Sequence, residues 1–433
     1  MNGGLNMVEM KSGYKMTEVG VIPEDWEVKN VSESCLIKAR IGWQGLKKSE
    51  YMSSGDYLLI TGTDFDNGQV NWKSCAYVSK ARYEQDSNIK IRPQDILISK
   101  DGTIGKVAYL GMIPKAGTLN SGIFVIRAND RKIDQVFLSK IFMSFYFEEF
   151  LNRLVAGSTI NHLYQKDFVK FCFPLPNSEE QVAIAAALSD VDSLISALTK
   201  KIEKKKTIRQ GLVQQLLTGK KRLPGFCGDW VKKKVSSVSD ILRGGSPRPI
   251  ENYIVKSGGV NWIKIGDVDS SAKYIFRTNE QIIESGIQYS RFVHSGDLLL
   301  SNSMSFGRPY ILKTEGCIHD GWLVIQNYDK YFDKEFLYYL LGSDEVLKQY
   351  KSLAAGSSVL NLNKDIVGKV VLYFPPSISE QTAIANILSD CDSEIAALEE
   401  KRDKYKEIKQ GMMQQLLTGK IRLIGCPVLC SRF

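Results

Sequence analysis

The chain has 433 residues, enough for two or three domains that each bury a core, with 43% hydrophobic and 24% charged side chains. A formal net charge of +9 and a pI near 8.9 are compatible with a phosphate-backbone partner without requiring one. Eight cysteines scattered over this length exclude a disulfide framework, and three distant histidines with one CxxxC pair (Cys426, Cys430) exclude an obvious zinc set, so neither metal nor cofactor is expected. No apolar run is read as a membrane span and the first residues carry no apolar signal core, so a soluble cytoplasmic protein is expected.

The first block opens with IPEDW (22–26) and continues through short β-rich runs, DILIS (95–99) and IFVIR (123–127), set between Gly, Ser and Asn turns. FLSKIFMSFYFEEFLNRL (137–154) has the spacing of an amphipathic helix. FCFPLPNSEEQ (171–181) reads as a strand end broken by Pro174 and Pro176, then a capping box of Ser178 and Gln181. The helix that follows places Ile184, Leu188, Val191, Ile195, Leu198 and Ile202 at alternating steps of four and three, a coiled-coil seam. It stops at LLTGK, where Gly219 suits a left-handed C′ position, and from 180 to 217 it is about 57 Å long.

The second block repeats the first. HSGDLLLSNSMSFGRPYIL (294–312) aligns with RPQDILISKDGTIGKVAYL (92–110), pairing Ser99 with Ser301, Gly105 with Gly307 and Lys106 with Arg308. IHDGWLVI (318–325) aligns with LNSGIFVI (119–126), and AGSSVLNL (355–362) with AGSTINHL (156–163). FLYYLLGSDEVLKQYKSL (336–353) is again an amphipathic helix, and VVLYFPPSISEQ (370–381) again ends a strand and caps a helix, with Ser377 and Glu380. The second long helix is a near copy of the first: 28 of 44 positions agree between 180–223 and 380–423, at a constant offset of 200. Each seam needs a partner, and the obvious partner is the other copy. The expected domains are therefore 1–177, a helical spacer at 178–222, 223–377, a distal helix at 378–423 and a tail at 424–433.

Catalytic signatures are missing. GTIGK (102–106) lacks the spacing of a phosphate loop, and YFPPS (373–377) has Phe374 where an amino-methyltransferase loop needs a polar residue. No metalloprotease, nucleophile-elbow or dinucleotide motif is found, so the chain is expected not to be an enzyme.

IPEDW, SEEQVAIAAALSDVD running to QQLLTGK, a second variable block and the second helix together resemble the DNA-specificity subunits of type I restriction–modification systems. GGSPRP (244–249), GGVNWIKIGDV (258–268) and SNSMSFGRP (301–309) add a weaker likeness to target-recognition domains of that family. The resemblance implies a mixed α/β (α+β) fold: two globular target-recognition domains separated by two long antiparallel helices that form a coiled coil with a pseudo-twofold repeat. It implies that each domain reads one half of a bipartite site in double-stranded DNA and that helix length sets the unread spacer. It further implies that two methyltransferase subunits dock on the chain, joined by restriction motor–nuclease subunits. An orphan subunit serving methylation alone, a stand-alone methyltransferase of unfamiliar motifs and a coiled-coil scaffold that never touches DNA remain the alternatives.

Base edges are read by polar side chains on loops. In the first domain the candidates are Arg40, Gln44, Lys47, Lys48, Lys100, Asp101, Thr103, Lys106 and Asn120. In the second they are Arg243, Ser246, Arg248, Lys264, Asn302, Ser303, Ser305, Arg308, His319 and Asp320. For His319 and Asp320 a polar pair supporting the loop competes with base contact. Trp43, Trp262, Phe306 and Trp322 are assigned to cores and Met304 to packing. The exposed faces of the helices with AGST (156–159) and AGSS (355–358) form the expected partner surface.

Overall fold

Ile96, Leu97 and Ile98 are all fully buried because both faces of their strand are covered. Alternation sends Ile96 and Ile98 into one core with Phe137, Leu138 and Ile141, and Leu97 into another with Leu58, Ile60 and Leu119. The computed structural model that shows this describes residues 12–155, 162–269, 272–302, 305–355 and 361–423. The chain divides into two units. One takes the residues up to Leu198 and those from Lys401 onward; the other is Thr199–Glu400.

In the first unit an antiparallel four-stranded sheet has the order Val107–Tyr109, Ile96–Ser99, Ile123–Ala128, Cys35–Ala39. Helices Gln135–Phe142 and Phe145–Val155 pack on one face. A three-stranded sheet, in which Gly117–Leu119 runs parallel to Tyr57–Ile60, covers the other. The second unit repeats the order as Pro309–Leu312, Leu298–Ser301, Trp322–Gln326, Asp240–Arg243, with a fifth strand, Tyr274–Ile275, parallel at the edge. Its helices are Lys334–Leu341 and Asp344–Ala354, and its second sheet has five strands. The register repeats too: Ser99 faces Ile123 as Ser301 faces Trp322.

The two long helices, α1 (Ser178–Leu216) and α2 (Ile378–Leu416), each have 39 residues. Within the first unit Lys409 pairs with Asp192 at 2.7 Å, and Arg422, just past α2, pairs with Glu180 at 2.7 Å. Within the second Arg209 pairs with Asp392, Lys205 with Glu394 at 2.7 Å, and Arg222 with Glu380 at 2.6 Å. Partner numbers fall as the helix numbers rise, so the pairing is antiparallel. Moving each number by 200 turns Lys409–Asp192 into the Arg209–Asp392 pair. Ile184 and Leu188 are buried in one core, Ile384 and Leu388 in the other, as the seam requires.

Three local expectations change. The cap of α1 is Asn177, whose Oδ1 accepts from Glu180 N at 2.9 Å, not Ser178. Gln181 instead accepts from Asp134 N at 2.8 Å and donates to the Lys132 and Pro176 carbonyls, and Gln381 repeats this with Asp333, Tyr331 and Pro375. At α2 Ser377 does cap Glu380 N, at 3.4 Å, but the Glu380 carboxylate is taken by Arg222, so no box closes. Each of the two amphipathic stretches breaks into two helices, at Met143–Ser144 and Gly342–Ser343, where Ser144 and Ser343 donate to carbonyls of the preceding turn. By length and composition, and against the expectation that no apolar run has the length of a membrane span, α1 also holds an apolar window long enough to cross one. Its Ile184, Ala185 and Leu188 are spent on the core of the first unit. Segments 156–159 and 356–358 lie outside the described residues.

Candidate nucleic-acid interface

In each unit two tight turns follow buried strands and carry most of the candidates. The first turn leaves Ile96–Ser99. Ser99 Oγ donates to Thr103 O at 2.6 Å and accepts from Lys106 N at 2.9 Å, while Gly105 N donates to Ser99 O. Ser301 does the same with Ser305 O, Arg308 N and Gly307 N. Gly105 and Gly307 have φ of 80° and 72°, and a Cβ on either would strike Leu151 or Tyr350. The loops thus hold Thr103 and Lys106 exposed, and Ser305 and Arg308 half-buried, in matching places. Arg308 sits 5.7 Å over the Tyr310 ring and lines a cavity of about 450 Å³ with Arg209 and Tyr338.

The second turn precedes Ile123–Ala128 and Trp322–Gln326. In the second unit it gathers a cluster. Asp320 Oδ1 accepts from Ser246 Oγ at 2.9 Å and lies 3.1 Å from His319 Nε2, while Arg248 stands 3.6 Å from Oδ2. The Asp320 carbonyl accepts from Arg243 Nε at 3.1 Å and Asn302 Nδ2 at 2.9 Å. Lys264 pairs with Glu280 at 2.8 Å and its charge reaches His319. Burial, then the Lys264, Arg243 and Arg248 charges, holds His319 below its ordinary range against the pull of Asp320. Burial raises Asp320, but the Ser246 hydrogen bond and the surrounding cations bring it below the usual carboxylate range.

The matching turn of the first unit holds Asn120, whose Nδ2 donates to Tyr51 Oη at 3.0 Å and whose Oδ1 accepts from Ser121 N at 2.7 Å. Arg40 lies beneath, 2% exposed, donating to Leu119 O and Thr118 Oγ1, with burial pulling its pKa down. Gln44 is buried too; Lys47 and Lys48 are exposed on the short 3₁₀ turn that ends at Tyr51. Asp101 bonds His162, and Lys100 lies over the Phe124 ring. Ser303 and Met304 lie outside the described residues. Trp262 and Trp322 are core, as assigned, and Phe306 is half-buried. Tyr51, which holds Asn120, and Arg291, which donates to the Arg243 carbonyl at 2.9 Å, were not singled out in the sequence; neither carries a local signal.

Among the described residues no group of three or more His, Cys, Asp or Glu side chains could hold a metal. Residues 23–207 and 228–410 each match the family model described as the type I restriction modification DNA specificity domain. The chain is 27% identical over 421 residues to the type I restriction enzyme MjaVIII specificity subunit of Methanocaldococcus jannaschii, covering 93% of this chain and 94% of that one. It is 25% identical over 205 residues to the EcoKI specificity subunit of Escherichia coli, covering 46% of this chain and 43% of that one. The fold is similar to the S subunit structure from M. genitalium, with a TM-score of 0.59, 15% identity and coverage of 90% and 96%. A second structure, from work on assembly and conformational transition of the type I R-M system, gives 0.57 at 18% identity, covering 92% and 99%.

Proposed function

The chain belongs to the type I restriction–modification DNA specificity family, and from that premise we propose that it reads a bipartite sequence in double-stranded DNA, one half by each unit. The observation that carries this is a repeated scaffold with unlike tips: the same strands and serine-braced loop end in Asn120 and Ser121 in one unit and in His319 and Asp320 in the other. Like frames present the tips alike, and unlike tips read unlike half-sites. Asn120, Thr103, Lys100 and Asp101 serve the first half-site; Arg243, Ser246, Arg248, Lys264, His319 and Asp320 serve the second, and the sequence candidate Asn302, 2% exposed, holds the Asp320 carbonyl from beneath instead of facing DNA. Ser303 joins the second set from the sequence alone. Lys47, Lys48, Lys106, Ser305 and Arg308 contact the backbone, and Arg40 and Gln44 hold the first turn from below.

The subunit itself is non-catalytic and cytoplasmic. Two methyltransferase subunits dock on its duplicated helices, because two like surfaces suit two like partners, and restriction motor–nuclease subunits join them. The paired helices set the spacer between the half-sites. Co-expression with methyltransferase subunits, followed by genome-wide mapping of methylated adenine, tests the proposal. One bipartite motif with a fixed gap is expected; a continuous motif, or none, overturns it.

A further inference from the structure

We propose that Asp320 is a specificity-determining residue of the second half-site, its Oδ2 accepting a hydrogen bond from the exocyclic amino group of a cytosine or adenine in the major groove, with His319 and Ser246 as positioning residues. This rests on the DNA-recognition proposal above and deepens it. His319 Nδ1 accepts from Gly321 N at 2.8 Å, so the single proton of the neutral ring is on Nε2, 3.1 Å from Asp320 Oδ1. Ser246 Oγ donates to the same oxygen at 2.9 Å. His319 Nδ1 is therefore spent inside the protein, and its Nε2 lies against the same Oδ1 that Ser246 occupies.

Oδ2 is different. Its neighbour is Arg248 at 3.6 Å, beyond a good hydrogen bond, and that side chain is 80% exposed. The Asp320 side chain is itself 32% exposed, so Oδ2 is an outward acceptor on a fixed stem. The stem is rigid: Ile318 and Trp322 on either side are fully buried, and the Asp320 carbonyl is held by Arg243 and Asn302. Gly321 completes it, since a Cβ there would stand 2.8 Å from His319 Nδ1. A lone carboxylate would repel DNA, but Arg243 and Arg248 lie around it and, with Lys264 offset by Glu280, leave the cluster net cationic. An ionised carboxylate accepts only, which suits a base amino group and rejects a carbonyl or ring-nitrogen edge in the same place. The first unit puts Ser121 at the equivalent position, so the two turns differ in the very group that reads.

The test uses the complex co-expressed with methyltransferase subunits, with methylated-adenine mapping of the unaltered chain, Asp320→Asn and Arg248→Ala. Asp320→Asn is expected to relax one position of the second half-site and to leave the first half-site and the gap unchanged. Binding of the cognate duplex should fall about 5- to 100-fold, with less loss for duplexes altered at that position. Ser246→Ala should relax the same position more weakly. An unchanged motif with Asp320→Asn overturns the inference, as does relaxation by Arg248→Ala alone, which would make Arg248 the reader and Asp320 its support. Should Asp320→Asn abolish methylation, duplex binding across the four bases at each position decides: a uniform loss overturns the inference, and a loss confined to one position upholds it. No bipartite motif from the unaltered chain would instead sink the underlying proposal.

Discussion

Glu180 and Glu380 occupy equivalent positions at the starts of α1 and α2, each 1% exposed and each paired with an arginine past the end of the other helix. Glu180 accepts from Arg422 Nε at 2.7 Å, Arg422 Nη2 at 2.9 Å and the Trp26 indole at 3.0 Å. Glu380 accepts from Arg222 Nε at 2.6 Å and Nη2 at 2.7 Å, whereas the equivalent Trp230 indole has no hydrogen-bond partner among the described residues. Removing one partner of a buried ion pair costs ~3–5 kcal/mol, and a stranded buried donor ~1–3 kcal/mol. In Glu180→Ala, Arg422 keeps Asp25 at 2.6 Å and is 22% exposed; in Glu380→Ala, Arg222 keeps the Gly228 carbonyl at 2.6 Å. Both cations are cushioned, so the ion-pair losses sit near the low end, about 3 kcal/mol. The main difference lies in the indole: Glu180→Ala strands the buried Trp26 donor and also loses the 3.3 Å bond from the half-buried Leu423 N, whereas Glu380→Ala strands nothing new. Glu180→Ala should therefore cost its own unit about 1–3 kcal/mol more than Glu380→Ala costs the other. Glu180→Gln, which keeps an acceptor for Trp26, should recover that margin. Hydrogen exchange of the buried strands at rising urea reads each unit separately. Equal losses, or a larger loss for Glu380→Ala, would show that the Trp26 indole is not held by Glu180 in the way described.

Gly105→Ala and Gly307→Ala should both destabilise. Gly307→Ala should be the worse, by about 1 kcal/mol, because its Cβ meets the fully buried Tyr350 ring while Gly105 meets the end of half-buried Leu151; thermal unfolding of the two variants checks the order. His319 has a folded pKa below its ordinary 6.5, so the unfolded chain binds more protons in that window. The resulting stability is complete above about pH 6.5 and is lost as pH falls through the folded value; urea unfolding at pH 7 and pH 5 should show a weaker second unit at pH 5, and less so in His319→Gln. Lys106→Ala should weaken DNA binding evenly across sequences and lower the slope of log affinity against log salt by about one, leaving the methylation motif intact.

The repeat was the most legible feature because antiparallel pairing of two copies needs the same residues twice: Asp192 and Lys409 say what Asp392 and Arg209 say. The strand runs were legible for a similar reason, since DILIS and DLLLS are buried on both faces. Helix punctuation was less so. Ser178 and Gln181 have capping-box spacing, but Asn177, one residue earlier, takes the cap through Glu180 N, and Gln181 is drawn to the strand-to-helix turn at Asp134, a contact set by tertiary packing. The site was half legible. A cation in a polar loop looks the same in sequence whether it faces solvent, as Lys106 does, or is sealed under a turn, as Arg40 is. The convergence on Asp320 joins residues 74 and 18 positions apart, which no local pattern reports.

On the proposed function, the length of the paired helices sets the gap between the two half-sites. Inserting one seven-residue repeat into both α1 and α2 preserves the seam and adds about 10 Å, or about three base pairs of duplex. Mapping methylated adenine with this variant beside the unaltered chain should give the same two half-sites with a gap wider by about three base pairs. The same gap in both, with methylation retained, would contradict it.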